Sequence, residues 1–328
     1  MKPLSFMFHK SFLMLFVLIS QLIYPFSDFL SNEFFNLKKN QSNWRFVDFD
    51  VSMGQNTVYY KECLENKGNY SWACKPKKAS ELLHFFRDLY NKNNLSVKMN
   101  KGNKKIPKII HQIWLGSPLP KKYDAWVRSW EKNHPGWKYV LWTDKEIEEF
   151  ELANRKLYHS TSNYGEKSDI ARYEILYRFG GVYVDTDLES LMPLDVLHEN
   201  YEFYTGISHL DGGVLCLANG IIGSVAGHPI LKECIETIKL KWHLKMIIEI
   251  TGPVHFTQSF CDVVEKMKGT LAYKNIIALP ATYFYPFGIT KKDMRGQELK
   301  SYLKSFPESF TAHYWEGSWL KKRANKKV

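Results

Sequence analysis

The chain has little cysteine for its length: five in 328 residues, at Cys63, Cys74, Cys216, Cys234 and Cys261. None forms a C-x-x-C pair, which argues against a structural zinc site. Cys63 and Cys74 flank a loop containing glycine and asparagine. They read either as a disulfide in an oxidising compartment or as two free thiols. Long apolar runs are also scarce. Phe12 to Tyr24 is apolar apart from Ser20 and Gln21, short of the roughly 20 residues that span a bilayer. Taking Phe6 to Leu30 as one interrupted segment supplies the length. No small-x-small cleavage site follows it. With Lys2 and Lys10 upstream, a signal anchor with a cytoplasmic N-terminus is favoured over a cleavable signal peptide or an amphipathic membrane contact. That predicts a single-pass type II membrane protein of the Golgi or a bacterial envelope; a cleaved leader predicts a secreted one. A nucleic-acid-binding motif is missing too, and the lysines are dispersed, so nucleic acid is not the expected partner.

The charge is +11. Lysine-rich loops and a basic tail from Lys321 to Lys327 account for it, and a basic face beside an anionic membrane is a second reading. Hydrophobic content of 45% and aromatic content of 15% fit a globular protein with one sizeable domain. Residues 31–105 are rich in asparagine and lysine and read as a stem or linker region. Leu82 to Tyr90 forms a helix in it, with Leu82, Phe85, Phe86 and Leu89 on one side. Three sequons, at Asn40, Asn69 and Asn94, are no more than such a composition gives by chance.

Chemistry concentrates between Ser168 and Asp187. Ile170, Tyr173, Leu176 and Tyr177 recur at helical spacing, with Ser168 as the expected N-cap. Gly180-Gly181 stops the helix, and Val182-Tyr183-Val184 reads as a buried strand. The strand delivers Asp185 and Asp187 at its C-terminal end, where open α/β sheets bind ligands. Two residues apart on a continuing strand, they share a face and suit a divalent cation that also holds a diphosphate. Asp169 and Arg172, three apart on the helix, can grip vicinal sugar hydroxyls. The bland readings are a helix-start charge and a surface ion pair.

The strings S-D-x-x-R-Y, over Ser168 to Tyr173, and G-G-V-Y-x-D-x-D, over Gly180 to Asp187, resemble the signature of family 32 glycosyltransferases. The resemblance extends from Ile106 to Trp319. It includes "IPKIIHQIWLG" from Ile106, "HPGWKYVLWTD" from His134, "LANGIIGSVAGHP" from Leu217, the Thr251-Gly252-Pro253 loop, and "HYWEGSW" from His313. It implies a GT-A-type α/β fold: a mainly parallel Rossmann-like sheet with helices on both faces, occupying 106–320. A signal segment (1–30) and the stem precede it, and the basic tail (321–328) follows. The strands expected there are Ile109–Ile113, Trp137–Trp142, Val182–Val184, Glu202–Ile207, Gly213–Leu217 and Ile276–Leu279. Asn219, followed by Gly220, reads as facing the donor sugar or the acceptor, or equally as a turn residue.

The resemblance further implies a retaining transferase that takes a UDP- or GDP-linked hexose to a glycan, glycolipid or protein acceptor with Mn²⁺ or Mg²⁺. Asp187 and Asp185 would hold the cation with His313. Asp169 and Arg172 would hold the donor sugar, and Trp114 would stack on the base. Asn219, Ser318 and Trp319 complete the candidate donor contacts; His111 and Gln112 read equally as structural. No protein nucleophile stands out, and a donor phosphate oxygen can take the acceptor's proton. Rival readings are a haloacid-dehalogenase-type phosphatase using Asp185 and Asp187, a non-catalytic glycan- or partner-binding protein, and a bacterial effector that glycosylates a host protein.

Overall fold

The computed structural model describes residues 45–70, 77–95, 106–241, 244 and 246–318. The signal segment, Cys74, Trp319 and the basic tail lie outside the described residues. No described helix is long and apolar enough to cross a membrane.

The strands are β1 (Ile109–Ile113), β2 (Lys138–Trp142), β3 (Gly181–Val184), β4 (Leu188–Ser190), β5 (Phe203–Ile207), β6 (Leu217–Ser224), β7 (Ile276–Leu279) and β8 (Thr311–His313). Six of them form one sheet in the order β2-β1-β3-β6-β5-β7, and β4 pairs with β8 separately. β1 is parallel to β2 and β3, and β5 is parallel to β7. β6 is antiparallel to both β3 and β5, so five strands run one way and β6 alone runs against them. The sheet is therefore α/β and mainly parallel. β3, β5 and β7 are buried along their whole length, as strands covered on both faces must be.

Among the described residues, the helices of eight residues or more are α1 (Ala79–Asn93), α2 (Asp124–Asn133), α3 (Tyr164–Phe179), α4 (Pro229–Lys241), α5 (Pro253–Met267) and α6 (Gly296–Leu303). α1 buries Leu82, Leu83, Phe86, Leu89 and Tyr90 in the same core as the sheet. Its last residue ties it to the sheet edge: the Asn93 amide donates to the carbonyls of Tyr273 at 2.7 Å and Ile276 at 2.9 Å. The region read as a stem thus contributes packed helix to this core.

Three local expectations are corrected. α3 starts at Tyr164, capped by Asn163, whose Oδ1 accepts from Glu166 N–H at 3.1 Å; Ser168 lies inside the helix. Gly213–Leu217 is not a strand. β6 starts at Leu217 and carries Asn219 and Gly220 as strand residues, not as a turn. β3 ends at Val184, one residue before Asp185, so Asp185 and Asp187 do not continue the strand.

The α3–β3 junction requires its two glycines. Gly180 has φ 65° and Gly181 φ 98°, where a Cβ is strained. A Cβ on Gly181 would lie 2.6 Å from the Ile109 carbonyl oxygen, and one on Gly180 2.8 Å from Ala226 N. The junction is what allows a buried helix to turn straight into the central strand. Both then aim their polar residues at one end of the sheet.

Candidate active site

That end of the sheet opens into a cleft of about 920 Å³. Asp169, Arg172, Asp185, Asp187, Trp114, Asn219, His313 and Ser318 all line it. The structure thus brings together every described residue that the sequence nominates for metal or donor binding.

One half of the site is a buried ion-pair network. Arg172 lies 3.2 Å from Asp169 and 3.3 Å from Asp185. Its guanidinium also donates to the Asn219 carbonyl at 2.7 Å and to Ser168 Oγ at 3.0 Å. It stacks on the Tyr183 ring at 4.3 Å, a cation–π contact that stabilises a desolvated charge. Burial disfavours the charged guanidinium, but the neighbouring Tyr183, Asp169 and Asp185 outweigh that and raise its pKa. Asp169 accepts from Asn219 Nδ2 at 2.8 Å and from Thr251 Oγ at 3.0 Å. Burial still dominates over Arg172 and these donors, and pushes its pKa up to about 6.

The other half gathers Asp185, Asp187 and His313, whose ligand atoms all lie within 4.8 Å of one another. Asp187 follows β3 by three residues, and His313 ends β8. The β4–β8 pairing joins them, with Leu188 opposite His313. His313 Nε2 lies 3.1 Å from Asp187 Oδ1 and 4.0 Å from Asp185 Oδ2. The other Asp187 oxygen accepts from Glu316 N–H at 2.8 Å. Burial raises the Asp187 pKa, but the His313 charge, its hydrogen bond and the Glu316 amide overcome this and hold it below the ordinary value. For His313 the balance is mirrored: burial lowers its pKa, and Asp187 raises it further.

Two oxyanions and an imidazole suit Mn²⁺ or Mg²⁺ better than a soft metal. The nitrogen that faces the carboxylates is Nε2; Nδ1 is buried without a hydrogen-bond partner among the described residues, which is costly for a polar group. Asp185 is oriented by Tyr183, whose hydroxyl donates to it at 2.7 Å.

The remaining nominated residues sort by contact. Trp114, just past β1, packs on Tyr123 at 4.9 Å and donates to Ser117 Oγ at 3.2 Å. Asn219 shapes the site from beneath, by holding Asp169 and Arg172. Ser318 is exposed at the rim. His111 is structural: it bonds the Gly180 carbonyl at 3.0 Å and accepts from Trp142 Nε1 at 3.1 Å. Burial pushes its pKa down to about 4. Gln112 donates to the Asp185 carbonyl at 3.1 Å and accepts from Tyr139 at 2.6 Å.

Two residues without a sequence-assigned role also belong here: Tyr183, and Tyr164 against Gly116. Gly116 has φ 80°, and a Cβ there would overlap the Tyr164 ring. The Thr251-Gly252-Pro253 string marks a loop but gives no hint that its hydroxyl reaches Asp169.

Comparison with known proteins finds similarity over this segment. Residues 120–204 match the family described as the glycosyltransferase sugar-binding region containing a DXD motif. The chain is 31% identical over 169 residues to inositol phosphoceramide mannosyltransferase 1 of Schizosaccharomyces pombe, covering 48% of this chain and 52% of that one. It is 33% identical over 189 residues to inositol phosphoceramide mannosyltransferase 3 of the same yeast, covering 54% and 51%. The chain thus spans about half the length of the curated relatives it matches. Among solved structures it is similar to the catalytic domain of alpha-toxin from Clostridium novyi, with 11% identity, 84% and 91% coverage and a TM-score of 0.44. The matched segment holds Asp169, Arg172, Asp185 and Asp187, and over residues 120–204 the chain is similar to the DXD-containing sugar-binding region of glycosyltransferases.

Proposed function

We propose that this chain is a metal-dependent, retaining glycosyltransferase of GT-A type. It moves a hexose from a UDP- or GDP-linked donor to a glycan, glycolipid or protein acceptor, with membrane attachment through its N-terminal segment. The observation that carries this reading is the convergence of Asp185, Asp187 and His313 within 4.8 Å on the same cleft as the Asp169–Arg172 pair.

Asp187, Asp185 and His313 would hold the cation. When bound, a divalent ion neutralises charge on the leaving diphosphate and orients it. Arg172 and Asp169 hold donor-sugar hydroxyls in a desolvated setting, where hydrogen bonds to charged groups are strong. Trp114 offers a flat aromatic face to the base. The rigid network beneath Asp169 matters because orientation alone can supply much of a rate enhancement. Retention requires the acceptor hydroxyl to approach C1 from the leaving-group side.

The S. pombe relatives are named for mannosyl transfer and for inositol phosphoceramide. GDP-mannose is therefore the first donor to test and inositol phosphoceramide the first acceptor. The test is nucleotide release from a panel of UDP- and GDP-sugars with Mn²⁺, beside Asp187→Ala and a chelator control. Release from one donor, abolished in both controls, supports the reading. No release together with no Mn²⁺-dependent nucleotide binding overturns it in favour of a non-catalytic binding protein.

A further inference from the structure

A second acid–base pair lines the cleft apart from the carboxylate cluster. His209 and Asp211 follow β5, where His209 begins a short 3₁₀ turn, Leu210–Gly212. Both residues line the cleft. The Asp211 side chain is only 2% exposed, and one of its oxygens lies 3.2 Å from His209 Nδ1. The loop before α6 holds this carboxylate from the far side. Ile289 N–H donates at 3.2 Å, Thr290 N–H at 2.9 Å and Thr290 Oγ at 2.5 Å. Gly288 leaves the room, since a Cβ there would overlap the Asp211 carboxyl group. Burial raises the Asp211 pKa, but the hydrogen bonds from His209 and Thr290 outweigh it and hold it at about 2. The carboxylate is therefore ionised at neutral pH.

This arrangement sets the histidine. The Asp211 backbone N–H donates to the same Nδ1 at 3.3 Å, a long hydrogen bond, but an ionised carboxylate at 3.2 Å is the stronger partner for that nitrogen. It favours the tautomer with the proton on Nδ1 and the lone pair on Nε2. Nε2 has no protein partner among the described residues, and the side chain is 26% exposed. A carboxylate-oriented imidazole with a free lone pair in a substrate cleft is the arrangement of a general base.

We propose that His209 is the base that receives the acceptor's proton, with Asp211 as the residue that positions it. The proposal rests on the donor reading above. The acceptor oxygen bonds to C1 of the donor sugar as the bond from C1 to the diphosphate oxygen breaks. The electron pair leaves with the nucleoside diphosphate. The hydroxyl proton passes to His209 Nε2 and then to solvent through the open cleft. A donor phosphate oxygen is the competing proton acceptor, and it would make His209 dispensable.

The experiment uses water as acceptor, following nucleotide release from the hydrolysed donor with Mn²⁺, alongside Mn²⁺-dependent binding of UDP or GDP. In His209→Gln, kcat is expected to fall by roughly 10²–10⁴-fold. Donor KM and nucleotide affinity should stay within about twofold of wild type, because a base acts on the chemical step. Asp211→Asn should lower kcat less and likewise leave KM in place, whereas a merely structural role would move both. A His209→Gln kcat within about threefold of wild type overturns the proposal in favour of the phosphate route. Lost nucleotide binding in His209→Gln overturns it in favour of a turn-capping role. Wild-type protein that binds nucleotide but hydrolyses no donor also refutes the His209 step while leaving the donor reading intact. Wild-type protein that does neither refutes the donor reading.

Discussion

Replacing Asp169 by Asn should make the ligand-free protein harder to unfold at alkaline pH while weakening its grip on donor. Asp169 is buried, and burial dominates its environment, lifting its pKa from 3.8 to about 6. The folded state therefore binds this proton more tightly than the unfolded chain does. The corresponding stability is fully present below about pH 3.8 and is lost as pH rises through about 6. A shift of about 2 units at 1.36 kcal/mol per unit makes the full effect about 3 kcal/mol. Between about pH 4.5 and about pH 8 the part that changes is about 2 kcal/mol.

The Asp169→Asn side chain does not titrate and carries no such contribution. It keeps an oxygen for Asn219 and leaves Arg172 facing Asp185 at 3.3 Å and the Asn219 carbonyl at 2.7 Å, so no charge is stranded. The assay is thermal unfolding of both proteins with chelator at the two pH values. The difference in Tm, variant minus wild type, should rise by about 4–8 °C from the acid to the alkaline condition. Other titrating groups cancel in this double difference. A gap that does not change with pH refutes the reasoning, because Asp169 would then have an ordinary pKa. A gap that narrows refutes it more strongly, since Arg172 would then outweigh burial.

Three further outcomes follow from the geometry. Tyr183→Phe removes the hydroxyl that orients Asp185 but keeps the ring under Arg172; Mn²⁺ affinity, by calorimetry, should fall by roughly 10–100-fold, as for an outer-shell partner of a metal ligand, with the melting curve nearly unchanged. Gly116→Ala forces a Cβ into the Tyr164 ring at a positive φ; nucleotide affinity should fall with a stability loss of about 1–3 kcal/mol by urea unfolding. His313→Ala should weaken Mn²⁺ binding by at least about tenfold while raising the Asp187 pKa, because Asp187 loses the cation that stabilises its charged form; carboxyl titration by NMR in chelator checks the second part.

The legible parts of the fold are those whose signals are local. The α3–β3 junction is marked by helical spacing followed by two glycines, and the strands β1 and β7 stand out as apolar runs. β6 is hard to read because its sequence contains Asn219-Gly220 and Gly223, which look like turn residues. Their reason is tertiary. A Cβ on Gly220 would come within 2.8 Å of the Asp185 carboxylate, and one on Gly223 would overlap the Tyr204 ring. Glycine in a strand interior often marks such close approach, but nothing in the sequence says what approaches. The α3 start is obscured for a similar reason. Asn163 caps it, yet Gly165 and the polar residues around it weaken the helical pattern in the first turn.

The site shows the same division. Asp169, Arg172, Asp185 and Asp187 sit within one short stretch, so spacing alone brings them together. Strand alternation brings Asp185 and Asp187 together on paper, but by a geometry the structure does not have. They do not share a pleated face, because β3 has ended at Val184. A turn closed by Leu188 N–H on the Asp185 carbonyl at 3.1 Å carries the chain round. The β4–β8 pairing then sets Asp187 against a residue 126 positions away, His313. Side chains alternate between faces along a strand, so a one-residue slip of β8 would turn His313 to the other face and break the cluster. The Tyr314 N–H, which donates to the Asp187 carbonyl at 3.0 Å, helps pin that register. The geometry of the candidate metal site is thus set by a pairing of two short strands. Substitutions that loosen it, such as proline at Ala312 on the paired strand, should lower Mn²⁺ affinity without touching a ligand.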